Sequence, residues 1–275
     1  MRIVNISGFV ISNTALIILC AGLGLPLSYA AEDVDSIMAK NYVVGKVAGS
    51  VSEADFRLIS SNGQERVRKT TGKSKLKIGS EDKMSLVTFL SPADVKGTMT
   101  LTIENSSIGK DDDMWIYLPA LKKVRRLVAS NKKDSFVGTD FSYADVIGYK
   151  INEWKYTLLR EENIEGSACF VVEAVPKSPS VQEDSGYSKR IMWIRRDAYV
   201  TVKGEGYDTG GELLKSFRFS SYKLVDSKNS KWVPMYLEAE NLQTRHRTVI
   251  EMKKFEVNKD IPESIFSARS LQSES

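Results

Sequence analysis

Apolar positions along this chain follow two periods, and the change from one to the other predicts the fold. Over Asp33 to Tyr42, the residues Val34, Ile37, Met38 and Tyr42 recur at spacings of three and four behind a capping aspartate, which predicts a short amphipathic helix. From Phe56 onward the period drops toward two, and turn residues interrupt it regularly. Phe56 to Ile59 and Glu65 to Thr71 flank Ser60-Ser61-Asn62-Gly63, and Asn-Gly is a strong hairpin signal. Lys83 to Leu90 reads as a strand. It is followed by Ser91-Pro92 and Gly97, a cap, a first-turn proline and a stop, which predict a one-turn helix over Ser91 to Lys96. Met99 to Glu104, Met114 to Leu118 and Lys123 to Ala129 are further strands, and Ser142 caps a short helical turn to Ile147. Hairpins then dominate. Lys155 to Arg160 meets Ala168 to Val175 across Asn163 to Gly166, and Lys189 to Arg195 follows a loop rich in Ser, Pro and Gly. Val200 to Tyr207 meets Leu213 to Tyr222 across Asp208 to Gly211, and Lys231 to Glu240 meets Arg247 to Phe255. Strands at this spacing describe an antiparallel meander, mainly β, rather than a doubly wound α/β fold.

Two strands depart from simple alternation. Met114 to Leu118 (MWIYL) and Ile191 to Ile194 (IMWI) are apolar on both faces. A sheet with few helices to cover it must present that second face to an opposing wall, an inserted helix or a ligand. A curled sheet with a partly lined interior meets all three conditions. The stretch from Asp111 to Asp145 adds a basic, polar segment and an aromatic turn, the pattern of a flap over an apolar surface.

The ends bound the compartment. Arg2 precedes an apolar run from Phe9 to Leu27, and Ser28-Tyr29-Ala30 places small residues where a signal peptidase reads. The expectation is a cleaved leader over residues 1–30 and a single domain over 31–275, with a frayed tail after Leu271. Cys20 lies inside that leader, and the sequence before it lacks the small residue of a lipoprotein signal. Beyond the leader only Cys169 remains, so no internal disulfide is available. A formal net charge of +4 is nearly balanced and gives no general case for a nucleic-acid partner.

Candidate chemistry is sparse. His246 falls in a predicted hairpin loop with basic neighbours and reads as a solvated turn residue, which leaves triad chemistry without a base. Cys169 reads as a buried strand thiol, and Asp111-Asp112-Asp113 as an ordinary acidic turn without the spaced ligands of a calcium loop. Gly72-Lys73-Ser74 lacks the earlier glycine of a phosphate-binding loop, since Val67 stands there. No enzyme activity, cofactor or metal is expected. Lys122, Lys123, Arg125 and Arg126 form a concentrated basic patch that suits a solvated face, a lipid head group or an acidic partner.

Five separated words in order carry a resemblance: LSPADVKGT (Leu90 to Thr98), DDMWIYLPALKKVRR (Asp112 to Arg126), FVGTDFSYADV (Phe136 to Val146), YSKRIMWI (Tyr187 to Ile194) and ENLQTRHRTVIEM (Glu240 to Met252). Together they resemble the outer-membrane lipoprotein-sorting protein family, relatives of the periplasmic carrier LolA. The resemblance implies a half-open antiparallel β-barrel, a curled sheet with short lid helices over an apolar cavity. It also implies a periplasmic, non-enzymatic carrier that takes the acyl chains of lipoproteins or lipids toward the outer membrane. An inner-membrane exporter and an outer-membrane acceptor are the implied partners, and an adaptor role beside an exporter of the RND type is the alternative. The expected cavity and lid residues are Leu86, Leu101, Ile103, Trp115, Tyr117, Phe136, Phe141, Tyr143, Trp193, Phe217 and Phe219. Ser91 to Lys96 and Ser142 to Ile147 are the expected lid pieces. Each buried methylene contributes roughly 0.8 kcal/mol, so release requires that a lid compete with cargo for the cavity.

Overall fold

The computed structural model describes residues 32–107, 110–257 and 260–273. The expected leader and Cys20 lie outside the described residues. The chain opens with α1 (Val34–Val44), whose first turn is closed by the Asp33 carboxylate accepting from Ser36 N at 3.3 Å. This helix buries Ile37 and Met38 against the sheet. Strands β1 (Gly49–Ile59), β2 (Glu65–Leu76), β3 (Lys83–Ser91), β4 (Met99–Ile103), β5 (Asp113–Leu118) and β6 (Lys123–Leu127) follow as a meander. The short helix α2 (Tyr143–Ile147) precedes β7 (Trp154–Ile164) and β8 (Ser167–Pro176), and α3 (Pro179–Ser185) precedes β9 (Lys189–Arg195). The chain continues through β10 (Thr201–Tyr207), β11 (Leu213–Asp226), β12 (Lys231–Asn241), β13 (His246–Val257) and a final turn of helix, α4 (Ser270–Ser273).

All thirteen strands belong to one antiparallel sheet, in the order β6-β5-β4-β3-β2-β1-β13-β12-β11-β10-β9-β8-β7. The first and last strands zip together in its middle, with Phe56 opposite Ile250. The two free edges, β6 and β7, are consecutive in sequence and do not pair, so the curled sheet is not closed into a barrel. The residues joining them, 128–153, fold back onto the concave face. Phe136, Phe141, Tyr143 and Ile147 of this plug enter the main core together with Phe56, Phe89, Phe170, Ile194, Phe217 and Ile250 from the strands.

The doubly apolar strands are explained by a second layer. Met114 faces the main core, whereas Tyr117 and its neighbour Trp115 pack on the convex face with Met84, Leu86, Met99 and Leu101. Ile261, Phe266 and Leu271, from the segment after β13, cover that convex patch. Leu271 is 1% exposed, so the chain is anchored as far as this residue. Met192 and Ile194 likewise face inward, while Trp193 meets Cys169 and Val171 outside.

Three local expectations are corrected. Residues 92–96 form a hydrogen-bonded turn, with Lys96 N donating to Pro92 O at 2.9 Å, not a helix. The Ser/Pro/Gly-rich loop contains α3, capped by Ser178 Oγ and stopped by left-handed Gly186 (φ 76°). His246 begins β13 instead of lying in the turn, and its Nδ1 is 2.6 Å from Asp140 Oδ2 in the plug. Thr248 Oγ1 donates to the same carboxylate at 2.7 Å and accepts from Asp140 N at 3.0 Å. This clamp ties the plug to the sheet. Thr248 is 0% exposed, so Thr248→Val leaves a buried amide and carboxylate short of partners and is expected to lower stability by about 1–3 kcal/mol. Urea unfolding checks this; an unchanged midpoint shows that the clamp bears no weight.

Candidate functional site

Strand parity decides what the concave face presents. On β3, Ser85, Val87 and Phe89 point inward, and on β1 Ser52, Ala54 and Phe56 do the same. With Phe217 and Phe219 of β11, Leu237 of β12 and Ile250 and Met252 of β13, all of these except Phe89 line a cavity of about 310 Å³. The plug supplies its remaining wall through Phe136, Phe141 and Val146. A second cavity of about 360 Å³ adjoins it, and Lys83, Asp145, Phe219 and Leu237 line both. This second space runs past the end of α1 and reaches exposed Gly45, Ser106 and Gly148 at its rim. Each volume falls within the roughly 300–1,000 Å³ of small-molecule sites.

Strand β10 narrows to glycine where the plug needs space. A Cβ at Gly206 would lie 2.6 Å from the Tyr187 ring, so only glycine lets this tyrosine lie flat against the sheet. Tyr187 in turn reaches the buried polar centre of the plug, the Asp145 carboxylate. Asp145 Oδ2 accepts from Ser142 N at 2.9 Å, and Ser142 Oγ accepts from Asp145 N at 3.1 Å, a reciprocal cap that closes the short α2. The carboxylate also accepts from Tyr149 OH at 2.6 Å, Tyr187 OH at 3.2 Å and Lys215 Nζ at 3.2 Å. Its side chain is 3% exposed. Burial alone would raise its pKa, but the charges of Lys215 and Arg190 with the donors of Ser142 and Tyr149 hold it below the ordinary aspartate value. The same burial and the neighbouring carboxylate push Tyr149 and Tyr187 well above the usual phenol range.

The residues expected from sequence divide between two faces. Phe136, Phe141, Phe217 and Phe219 line the cavity, and Tyr143 stands behind Phe136 with ring centroids 5.3 Å apart. Leu86, Leu101, Ile103, Trp115 and Tyr117 lie on the convex face under the C-terminal segment. Trp193 also faces outward and donates from Nε1 to Glu162 at 3.1 Å. Sequence reading missed Val87, Leu237, Ile250 and Met252, and the inward cations Lys83 and Arg190. Parity with Phe89 and Met192 was the signal that could have found several of them.

Lys122, Lys123, Arg125 and Arg126 are exposed on or beside β6, the free sheet edge. Arg126 pairs with Asp113 at 2.7 Å and lies 6.0 Å from the Trp115 ring centroid. A row of basic side chains on an open edge also discourages edge-to-edge pairing of copies. Asp112 is a structural anchor, accepting from Asn105 N at 2.8 Å and pairing with Lys132 at 2.8 Å. Cys169 is fully buried, and burial pushes its thiol pKa up. No described helix is long and apolar enough to cross a membrane.

A family model described as "uncharacterized protein" matches residues 81–273. No curated protein matches the chain. Among solved structures, a domain assigned to outer membrane lipoprotein sorting from Vibrio parahaemolyticus is 28% identical, with a TM-score of 0.79 over 86% of this chain and 97% of that one. A DUF1329 family protein from Desulfovibrio piger is 29% identical, again with a TM-score of 0.79 and coverage of 86% and 97%. A LolA superfamily protein from Nitrosomonas europaea, 21% identical, shares the fold with a TM-score of 0.65 over 86% of this chain and 98% of that one.

Proposed function

The chain belongs to the family matched over residues 81–273 and has the LolA-like fold of lipoprotein-sorting relatives, and from that premise we propose that it is a periplasmic carrier that holds acyl chains in its trough and moves them toward the outer membrane. The observation that supports this most is the pair of adjoining cavities between sheet and plug. The walls of the smaller are mostly phenylalanine and aliphatic side chains, and the larger, more polar one reaches the surface. The plug is the competitor that cargo must displace. It occupies the concave face through Phe136, Phe141 and Ile147, so opening it costs apolar contacts that an entering hydrocarbon restores, and binding stays reversible. The two expected lid pieces contribute unequally: Val146 and Ile147 of α2 line the cavities, whereas residues 91–96 line neither. The basic β6 edge is the surface on which a donor or acceptor with acidic character would dock.

Filling the cavity tests the reading. Ser85 points into the smaller cavity from β3, and Ser85→Phe is expected to raise stability by about 0.5–2 kcal/mol through cavity filling. The same variant should weaken uptake of the neutral fluorophore N-phenyl-1-naphthylamine by at least about tenfold, equivalent to about 1.4 kcal/mol. Wild-type protein that takes up no fluorophore, or a filled variant that takes it up as well as wild type, would remove the trough as the binding site.

A further inference from the structure

The apolar trough contains more positive charge than its carboxylates neutralise. Lys83 from β3 and Arg190 from β9 project into the same cavity from opposite arms of the sheet. The Arg190 side chain makes no hydrogen bond among the described residues, and its buried Nε has no partner. Its guanidinium carbon sits 3.8 Å from the Tyr149 ring centroid. Lys83 Nζ is 3.9 Å from Glu104 Oε1, and the other oxygen of that carboxylate is held by Lys46 at 2.7 Å. Asp145 is saturated by Lys215, two tyrosines and its own cap. The remaining carboxylates on the lining have lysines of their own: Asp82 with Lys77 at 3.6 Å and Asp112 with Lys132 at 2.8 Å. Four interior cations, Lys46, Lys83, Arg190 and Lys215, thus share Glu104 and Asp145.

Cations held in an apolar cavity without full compensation are costly unless an anion joins them. Building on the carrier reading, we infer that the trough takes an acyl chain bearing an acidic head group, with Lys83 and Arg190 as its counter-charges. The hydrocarbon lies among Phe136, Phe141 and Phe217, and the hydroxyls of Ser52, Ser74 and Ser85 lie on the same lining as the two cations, within the space available to the head group. Burial lowers the pKa of Lys83, and an anionic ligand reverses that loss by stabilising the ammonium. The acyl-bearing end of a lipoprotein, whose chains hang on neutral amide, ester and thioether groups, would bring no such charge. The inferred cargo is therefore a free acidic lipid, with a carboxylate or a phosphate as its head.

Displacement of N-phenyl-1-naphthylamine by palmitate, hexadecyl phosphate and methyl palmitate separates the outcomes. At least one of the acids is expected to bind about tenfold or more tightly than the ester, a difference of about 1.4 kcal/mol, and the tighter acid identifies the head group. The preference should collapse in Lys83→Met/Arg190→Gln, whose retained fluorophore uptake reports an intact trough. If the double variant does not fold, Lys83→Met alone carries the test, since a third of this side chain is accessible. Equal binding of acids and ester by wild type, or a preference that survives the substitutions, overturns the inference while leaving the carrier reading in place. Failure of wild type to bind the fluorophore at all defeats the carrier reading instead.

Discussion

Asp145→Asn is expected to lose on the order of 3–5 kcal/mol of stability at neutral pH, because it strips the counter-charge from a buried lysine without removing the lysine. The substitution keeps the shape of the side chain. Lys215, 11% exposed, is then left beside Arg190 with no carboxylate at the plug centre. Tyr149 and Tyr187 keep an amide oxygen as acceptor, while the amide nitrogen in place of Oδ2 cannot accept from Ser142 N or Lys215 Nζ, so the effect combines the lost charge with the lost cap. The wild-type pH dependence has a defined sign. Asp145 is held below its ordinary value in the folded chain, so its contribution is complete above the unfolded carboxylate pKa of about 3.9 and is lost as pH falls through the lower, folded value. Urea unfolding followed by the fluorescence of Trp154, which packs on plug residue Tyr149 with ring centroids 5.4 Å apart, measures both effects. A variant as stable as wild type at pH 7, with the same acid limb, would show that this centre does not hold the plug.

Phe136→Ala should lower stability by about 3–5 kcal/mol and at the same time strengthen uptake of a fluorescent acyl probe. Phe136 is 2% exposed and bridges the two halves of the interior. It meets Phe89 of the sheet at a centroid distance of 6.4 Å and Tyr143 of the plug at 5.3 Å. Because it also lines the smaller cavity, truncation weakens the seated plug and enlarges the space that cargo enters. A solid interior would show the loss of stability with no gain in uptake, so the two readouts together distinguish a trough from a core.

The path of the strands was legible in the sequence because each hairpin carries its own turn chemistry. In Ser60 to Gly63, Asn62 Oδ1 accepts from Gln64 N at 3.1 Å while Gly63 takes φ 83°, as Asn-Gly in a hairpin predicts. Facing was much less legible. In β3 both parities are apolar, Met84 and Leu86 on one side, Val87 and Phe89 on the other, so period two carries no direction. The deciding fact is distant: Ile261, Phe266 and Leu271 return to cover the convex side, and a segment read as leading into a frayed tail gives no hint of that. The signals for α3 were present in Ser178, Pro179 and Gly186, but the same residues also spell a loop. Lys83 and Arg190 stand at the starts of their strands, where a charge ordinarily reads as solvated. Their inward aim follows from parity with Phe89 and Met192, and it becomes visible only once the concave face is known.

The central zip between β1 and β13 also bears on how this domain acquires its shape. Its outer hairpins can form from neighbours in sequence, but the pairing of Ser50 with Val257 joins residues nearly the whole domain apart. Nascent chain emerging in order from its first residue must therefore wait, with both flanks of the future seam unpaired, until the final strand arrives. Contact order of this kind makes folding slow, so the open seam stays available to chaperones until the last strand is made.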